Sequence, residues 1–433
     1  MVDGPASRVA REIRRRLKNN DVAGARARIE YFRGQWGDVP AMLLAEGQCD
    51  YHEGNFAAAM FAARKYADWV PGSAVAQLLL AAAAKGLGDK ESACRHSAAY
   101  VAAATTPPPP NSDIVVADLS AGFAINRAGE ATLESGANNL VGVLEGEGWR
   151  PHLAWSHLLH HADWGASLGN AALVISGITD SDLGESQLVE LEQAAMSVSV
   201  KVINGPSAVR ASRRDRVAAT RVAGVIVPPV VRQRGRFLRT AALQPWEPQI
   251  IRLAGSHNGH DTWVIDSEAS WERFLHALDG DAFYYISPYV ETVQRDGLRR
   301  KARIYSIFGK VMAEHLVLDH AHIVHTGTAR RAMLASQEQV DEELEFIDRW
   351  VEEFPQIVPL MNALQAQTGL DIFMADIGLL ETGEIALYEA NCSMRVILKS
   401  ELTDEGCHLA DATARIRQAI VEGLAARRTP RNV

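Results

Sequence analysis

"DIGLLETGEIALYEANCSM", residues 376–394, sets an acid at each end of what reads as a β-hairpin. Asp376 lies on the way in, Glu389 on the way out, and Asn391 just beyond. With Thr382-Gly383 as a two-residue turn, Glu381 faces Glu384 and the pairing continues outward until Asp376 falls opposite Glu389. Facing Cβ atoms in such a ladder lie about 4.5–5.5 Å apart. Residues two apart share a face, so Asn391 joins Glu389. The opposite face carries Ile377, Leu379, Ala386 and Tyr388, which suits packing. A one-residue bulge at the turn would break this register.

Two carboxylates about 5 Å apart repel by roughly 3 kcal/mol at an effective dielectric near 20. A divalent cation reverses that sign. Mg2+ takes oxygen ligands, commonly one or two carboxylates with waters and substrate phosphates. Asp376, Glu389 and Asn391 form such an oxygen set. A solvated, lysine-bridged ribbon fits less well, because the apolar residues of "IALYEAN" favour burial.

Phosphates also need cations and backbone donors. "PQIIRLAGSHNGHDTWVI" (248–265) supplies a strand containing Arg252, a glycine-bearing turn and a second strand. Gly255 and Gly259 allow close approach of backbone N–H groups to an anion. No GK[ST] opens a helix here, so this is not a P-loop, nor is it a dinucleotide fingerprint. "RRKARIYSIFGK" adds Lys301 and Arg303 on one strand face, suited to charge-assisted bonds with polyphosphate. "ASRRDRVAAT" places Arg213, Arg214 and Arg216 around a helix start, where anions bind readily.

The 433 residues exceed one ordinary core and predict two or three domains. A net charge of −9 and a pI near 5.9 argue against nucleic acid as the main partner. Cys49, Cys94, Cys392 and Cys407 lie far apart with no metal-ligand spacing, as expected of reduced thiols in a cytoplasmic protein. The charged N-terminus lacks a signal-peptide core, and no apolar run reaches membrane-span length.

The first hundred residues are alanine-rich and helical in pattern. Asn20, Gly54 and Gly88 recur every 34 residues, as do Asp21, Asn55, Asp89 and Ala25, Ala59, Ala93. That period resembles tetratricopeptide helix pairs, and the middle copy carries Gly47, Tyr51, Gly54, Phe56, Ala59 and Pro71 in the family's order. "TTPPPP" (105–110) ends the array, since four prolines favour a stiff extended spacer. "DIVVADLSA", "AALVISGI" and "VKVINGPSAV" then alternate with helical stretches, predicting a parallel α/β domain over 113–208. Later runs have the alternation of antiparallel strands. The expected organisation is therefore helical repeats over 1–104, a proline-rich linker over 105–112, the parallel domain, and two further subdomains over 209–290 and 291–433.

In order, "RRDRVAA…VPPVV", "PQIIRLAGSHNG", "YYISPYVE…DGLRRKARIY" and "DIGLLETGEIALYEAN" resemble the ATP-grasp superfamily on its glutathione-synthetase-like side, across about 113–425. The resemblance implies an α/β (α+β) ATP-grasp fold with a parallel-sheet pre-domain, here behind an all-α tetratricopeptide-like region. It implies Mg2+ on Asp376, Glu389 and Asn391, and a phosphate flap made of Gly255, Ser256, His257, Asn258 and Gly259. Arg252 and Arg216 stand where the family usually has phosphate-binding lysines. Tyr289 and Val290 match the adenine linker, Glu291 a ribose contact, and Lys301 and Arg303 the cationic strand. Arginine replaces lysine twice, giving a forked donor for a point charge, and "ISPYVE" lacks the acid often preceding the linker.

The implied chemistry is ATP-dependent ligation of a carboxylate to an amine through an acylphosphate. Arg395 is read as the contact to a substrate carboxylate, with Arg299 and Arg300 behind it. The helical repeats are read as engaging a protein or peptide partner. His315, His320, His322 and His325 match no strong metal spacing and read as pocket or structural residues. Two other classes compete with the ligase. One is a non-catalytic scaffold that senses nucleotide; the other is an ATP-grasp kinase acting on a small molecule.

Overall fold

The computed structural model describes residues 12–13, 15–17, 19, 21–37, 39–104, 106–117, 123–125, 131–133, 138–144, 149, 151–159, 161–239, 247–256, 261–393, 395–396 and 407–428. They fall into two compact units, one comprising 1–107 with 118–135 and the other 108–117 with 136–433.

In the first unit, helices Val22–Trp36, Pro40–His52, Phe56–Trp69, Ala74–Gly86 and Lys90–Ala104 follow one another and pack on their chain neighbours. The 34-residue step has a physical basis. Asp21 and Asp89 each accept a backbone N–H three residues on, capping a helix start. Gly54 and Gly88 precede two of these starts with positive φ, +81° and +77°, which a side chain would resist. Ala25, Ala59 and Ala93 are buried. A Cβ on Gly47 would meet Leu79 at 2.8 Å and Ala62 at 3.1 Å, so the helices approach closely there.

In the second unit, strands β1 (Asp113–Ala117), β4 (Pro151–Trp155), β5 (Leu173–Ser176) and β6 (Val202–Ile203) form a parallel sheet in the order β4-β1-β5-β6. The short ribbon β2 (Phe123–Ile125) and β3 (Ala131–Leu133) belongs to the first unit. Edge strand β4 has a half-buried pattern that the sequence reading passed over.

A four-stranded antiparallel sheet follows, in the order β10-β9-β11-β8: β8 (Val231–Arg234), β9 (Gln249–Leu253), β10 (Thr262–Ile265) and β11 (Phe283–Pro288). Helix Glu268–Ala277 covers it, started by a Ser267/Ser270 capping box. Its core centres on Phe274, which meets Trp263 and Tyr284 edge-on.

The last sheet runs β13-β12-β14-β15-β7, with β7 (Val225–Ile226) parallel at one edge and the rest antiparallel: β12 (Arg299–Ile307), β13 (Lys310–Asp319), β14 (Ile372–Leu379) and β15 (Ile385–Asn391). Phe308 and Gly309, both at positive φ, make the two-residue turn joining β12 to β13. One end of a β12–β14 face packs Tyr305, Ile307, Ile372 and Met374 against Val115, Ile175 and Ile203 of the parallel sheet. Buried Asn204 stitches the two together: its Oδ1 accepts from the N–H groups of Asp371 and Ile372, and its Nδ2 donates to the Ile372 carbonyl at 2.6 Å. The other end of that face carries charge. No helix among the described residues is long and apolar enough to cross a membrane.

Candidate functional site

Asp376 does pair with Glu389 across β14 and β15, by a route the sequence did not suggest. The loop holds three residues rather than two: Leu380 N–H donates to the Glu384 carbonyl, and Gly383 sits at φ +82°. That shifts the ladder by one, so Leu380, not Glu381, meets Glu384. A bulge at Tyr388 shifts it back, since Ile377 pairs with Leu387 but Asp376 with Glu389. The bulge also re-aims Tyr388. It was expected on the packing face, yet its hydroxyl lies where a Gly378 Cβ would project, 2.2 Å from it, and hydrogen-bonds Thr292 at 3.0 Å. Gly378 is therefore required for space.

Cations close on both acids. Arg303 of β12 lies opposite Asp376 and makes a two-pronged bond, Nε to Oδ1 at 2.8 Å and Nη2 to Oδ2 at 3.1 Å. Lys301 reaches Oδ2 at 2.8 Å. Asp376 is 1% exposed. Burial alone would raise its pKa, but Arg303 and Lys301 override it and hold the carboxyl far below the usual range. Arg214 donates to Glu389, and Arg252 Nη1 stands 3.9 Å from the same carboxylate. Burial, then the neighbouring Arg214, pushes the Arg252 guanidinium down to about 9. Asn391 Oδ1 accepts from Ser393 N–H at 2.9 Å.

Four cations against two carboxylates leave two positive charges in excess among these six side chains. The oxygen donors of Asp376, Glu389 and Asn391 fit a hard divalent cation. The surrounding charge suits one only when a polyanion comes with it. Among the described residues, no group of three His, Cys, Asp or Glu side chains converges as a metal set.

The structure separates some residues that the sequence grouped. Arg216 points to solvent, while Arg214 two positions earlier enters the cluster. On a helix those positions lie about 200° apart, and "RRDR" does not say which faces in. Arg252 folds back onto the flap base, donating to the Ser256 carbonyl at 2.7 Å and hydroxyl at 3.1 Å. Gly255, at φ +79°, approaches Leu183 so closely that a Cβ would lie 2.6 Å from its Cδ2. His257, Asn258 and Gly259 lie outside the described residues.

Tyr289 continues from β11, its N–H donating to the Pro248 carbonyl at 2.8 Å, and Val290 follows half-buried. Glu291 is engaged: both its oxygens accept from Arg299, at 3.0 and 3.1 Å, and Oε1 also accepts the Thr292 and Val293 N–H groups. Tyr289 OH meets His322 Nδ1 at 3.0 Å. Arg300 lies on the other side of β12, bonded to Asp296 and Glu342. Arg395 is exposed, its carbonyl accepting from the Tyr305 hydroxyl at 3.3 Å. His315 is buried beside Glu314, and His320 bonds the Gly297 carbonyl.

A narrow cleft beside the cluster is lined by Asp180, Asp182, Arg213, Arg214, Ser256, Tyr285 and Asn391, among others. Asp182 accepts from Arg232 and the Tyr285 hydroxyl. Asp180 and Asp182 start the helix after β5, Ser181–Ser197, and have no part in the sequence reading. The aspartate cap before a periodic helix was the available signal.

No described protein family matches this sequence, and no curated protein does. Solved structures with a similar chain path include proteins described as ATP-grasp, as ligases or as synthetases. One is a RimK domain protein ATP-grasp from Sphaerobacter thermophilus DSM 20745, at TM-score 0.42 and 12% identity over 72% of this chain and 99% of that one. A second is N5-carboxyaminoimidazole synthetase from Staphylococcus aureus complexed with ADP, at TM-score 0.45 and 7% identity over 75% and 80%. A third is the D-alanine–D-alanine ligase of Bacillus anthracis, at TM-score 0.41 and 10% identity over 71% and 99%. Likeness of that extent says nothing of chemistry, which rests on the side chains described above.

Proposed function

We propose that the chain is an ATP-dependent carboxylate–amine ligase of the ATP-grasp kind. The observation that carries this reading is the pair Asp376 and Glu389, opposed across one ladder beneath Arg214, Arg252, Lys301 and Arg303. Four cations converging on two carboxylates and an amide oxygen suit a triphosphate and its divalent cation.

In this reading Asp376, Glu389 and Asn391 hold Mg2+, which when bound neutralises charge on the phosphates. Lys301, Arg303, Arg252 and Arg214 turn from the carboxylates to the phosphate oxygens. Gly255 and Ser256, with His257, Asn258 and Gly259, close over them, while Tyr289 and Val290 border the adenine. A substrate carboxylate, read by Arg395, attacks the γ-phosphorus as the bond to ADP breaks. An amine then attacks the acyl carbon, phosphate leaves, and the nitrogen gives up a proton. Closure excludes the water that would otherwise hydrolyse the acylphosphate. The tetratricopeptide-like helices engage a protein or peptide partner.

The test is ADP and phosphate release across panels of amino acids and short peptides, comparing the natural chain with Glu389→Ala. The reading expects release that needs both an acid and an amine and is lost in the variant. Turnover that survives Glu389→Ala contradicts the metal assignment, and a phosphorylated product without an amide marks a kinase instead. One observation favours a scaffold that binds nucleotide without turnover: each site carboxylate is already met by an arginine. Mg·ATP binding without substrate-dependent release would decide for it.

A further inference from the structure

A third carboxylate lies beside the cluster and has no role in the chemistry above. β13 bulges opposite Arg303: Arg303 pairs with His315 and Ile304 with Ala313, leaving Glu314 as the extra residue. Bulges re-aim side chains. Glu314 is fully buried, and among the described residues its carboxylate meets the Tyr305 hydroxyl and His315 but no lysine or arginine within ion-pair distance. His315 Nδ1 lies 3.2 Å from Glu314 Oε2. Burial pulls the His315 pKa down against the opposing pull of Glu314, which disfavours the charged imidazolium beside the acid. Glu314 acts electrostatically on Arg303 and on Tyr305, whose phenol is held well above its ordinary value by burial and then by this acid.

A buried carboxylate without a cation is costly to keep. Arg303 meanwhile commits Nε and Nη2 to Asp376 and leaves Nη1 outside that fork. If a metal ion takes Asp376, this guanidinium loses the one carboxylate that bonds it among the described residues while staying mostly buried. We propose that Glu314 is a positioning residue, a reserve partner that takes over Arg303 when a divalent cation claims Asp376. It then holds the guanidinium from behind with its outer edge toward the phosphates. This inference rests on the metal reading of Asp376. It adds that Mg2+ entry exchanges one ion pair for another rather than breaking one.

The experiment is a Mg2+ titration of ATP binding to the full chain by calorimetry, for the natural sequence, Glu314→Gln and Glu314→Asp, with melting temperatures alongside. Without the reserve carboxylate, the half-saturating Mg2+ concentration rises about tenfold or more in Glu314→Gln, the size of one charge-assisted hydrogen bond. Mg2+-free ATP affinity stays the same, and Glu314→Asp falls between. Glu314→Gln also melts no lower than the natural chain, because it keeps the side chain's size and removes a carboxyl that no lysine or arginine pairs among the described residues. An unchanged Mg2+ midpoint, or equal losses of ATP affinity with and without Mg2+, overturns the inference and leaves the metal reading standing. If Glu314→Gln does not fold, an unchanged Mg2+ midpoint in Glu314→Asp overturns it equally. A natural chain whose ATP affinity ignores Mg2+ overturns the metal reading, and the inference with it.

Discussion

Arg214 precedes Glu389 by 175 residues, yet its guanidinium closes directly on that carboxylate. Burial drives the arginine's pKa down, and Asp180, Asp376 and Asp182 oppose that shift only in part. Arg214→Ala should weaken ATP binding by roughly tenfold or more, because it removes a cation that the proposed function turns to the phosphates. Arg214→Lys should retain part of the affinity, since it keeps the charge and loses the fork. Arg216→Ala, at an exposed position, should change nothing. Fluorescence or calorimetric titration with ATP reads all three.

Asp376 links the site to acid stability. Its folded pKa lies below the ordinary 3.8, because Arg303 and Lys301 override the effect of burial. A depressed carboxyl contributes stability that is complete above its unfolded value and is lost as pH falls below it. The natural chain should therefore lose urea resistance steeply as pH falls from 5 toward 2. Asp376→Asn should start less stable at neutral pH and show a shallower acid slope. Urea midpoints across that range check the sign.

Gly378→Ala should displace Tyr388, whose hydroxyl and Cζ lie 2.2 and 2.6 Å from the new methyl position. Overpacking of this kind costs about 1–3 kcal/mol. Tyr388→Ala in the same chain should recover much of the loss. Thermal melts of the single and double variants measure it.

Glu343 is fully buried and accepts from the Leu316 N–H, Arg330 and His408 Nε2, tying β13 to helix Gln337–Glu353 and to the 3-10 turn Cys407–Leu409. Glu343→Ala leaves a buried guanidinium without its acid and should cost roughly 3–5 kcal/mol. Denaturant unfolding reads that loss, and ATP affinity at low denaturant should change little because Glu343 does not touch the cation cluster.

The hairpin was legible because an acid, a turn and a second acid at fixed offsets constrain each other. Even so, the Asp376–Glu389 pairing survives only because two irregularities cancel, the three-residue loop and the bulge at Tyr388. Neither has a sequence signature strong enough to read alone: Thr382-Gly383 serves either loop length, and a bulge needs no special residue. The 34-residue step was legible because caps and small residues recur with it. The choice between Arg214 and Arg216 was not, since it depends on how a four-residue helix docks. Glu314 was invisible for a similar reason, because its alternation places it wrongly unless the β13 bulge is known.

The central claim is that Asp376 belongs to a Mg2+–triphosphate site, and calorimetric titration with ATP tests it most directly, with and without Mg2+, in the natural chain and in Asp376→Asn. The expected result is that Mg2+ strengthens ATP binding about tenfold or more, about 1.4 kcal/mol, and that Asp376→Asn removes this gain while Mg2+-free ATP still binds. An Asp376→Asn chain that keeps the full Mg2+ gain would contradict the account.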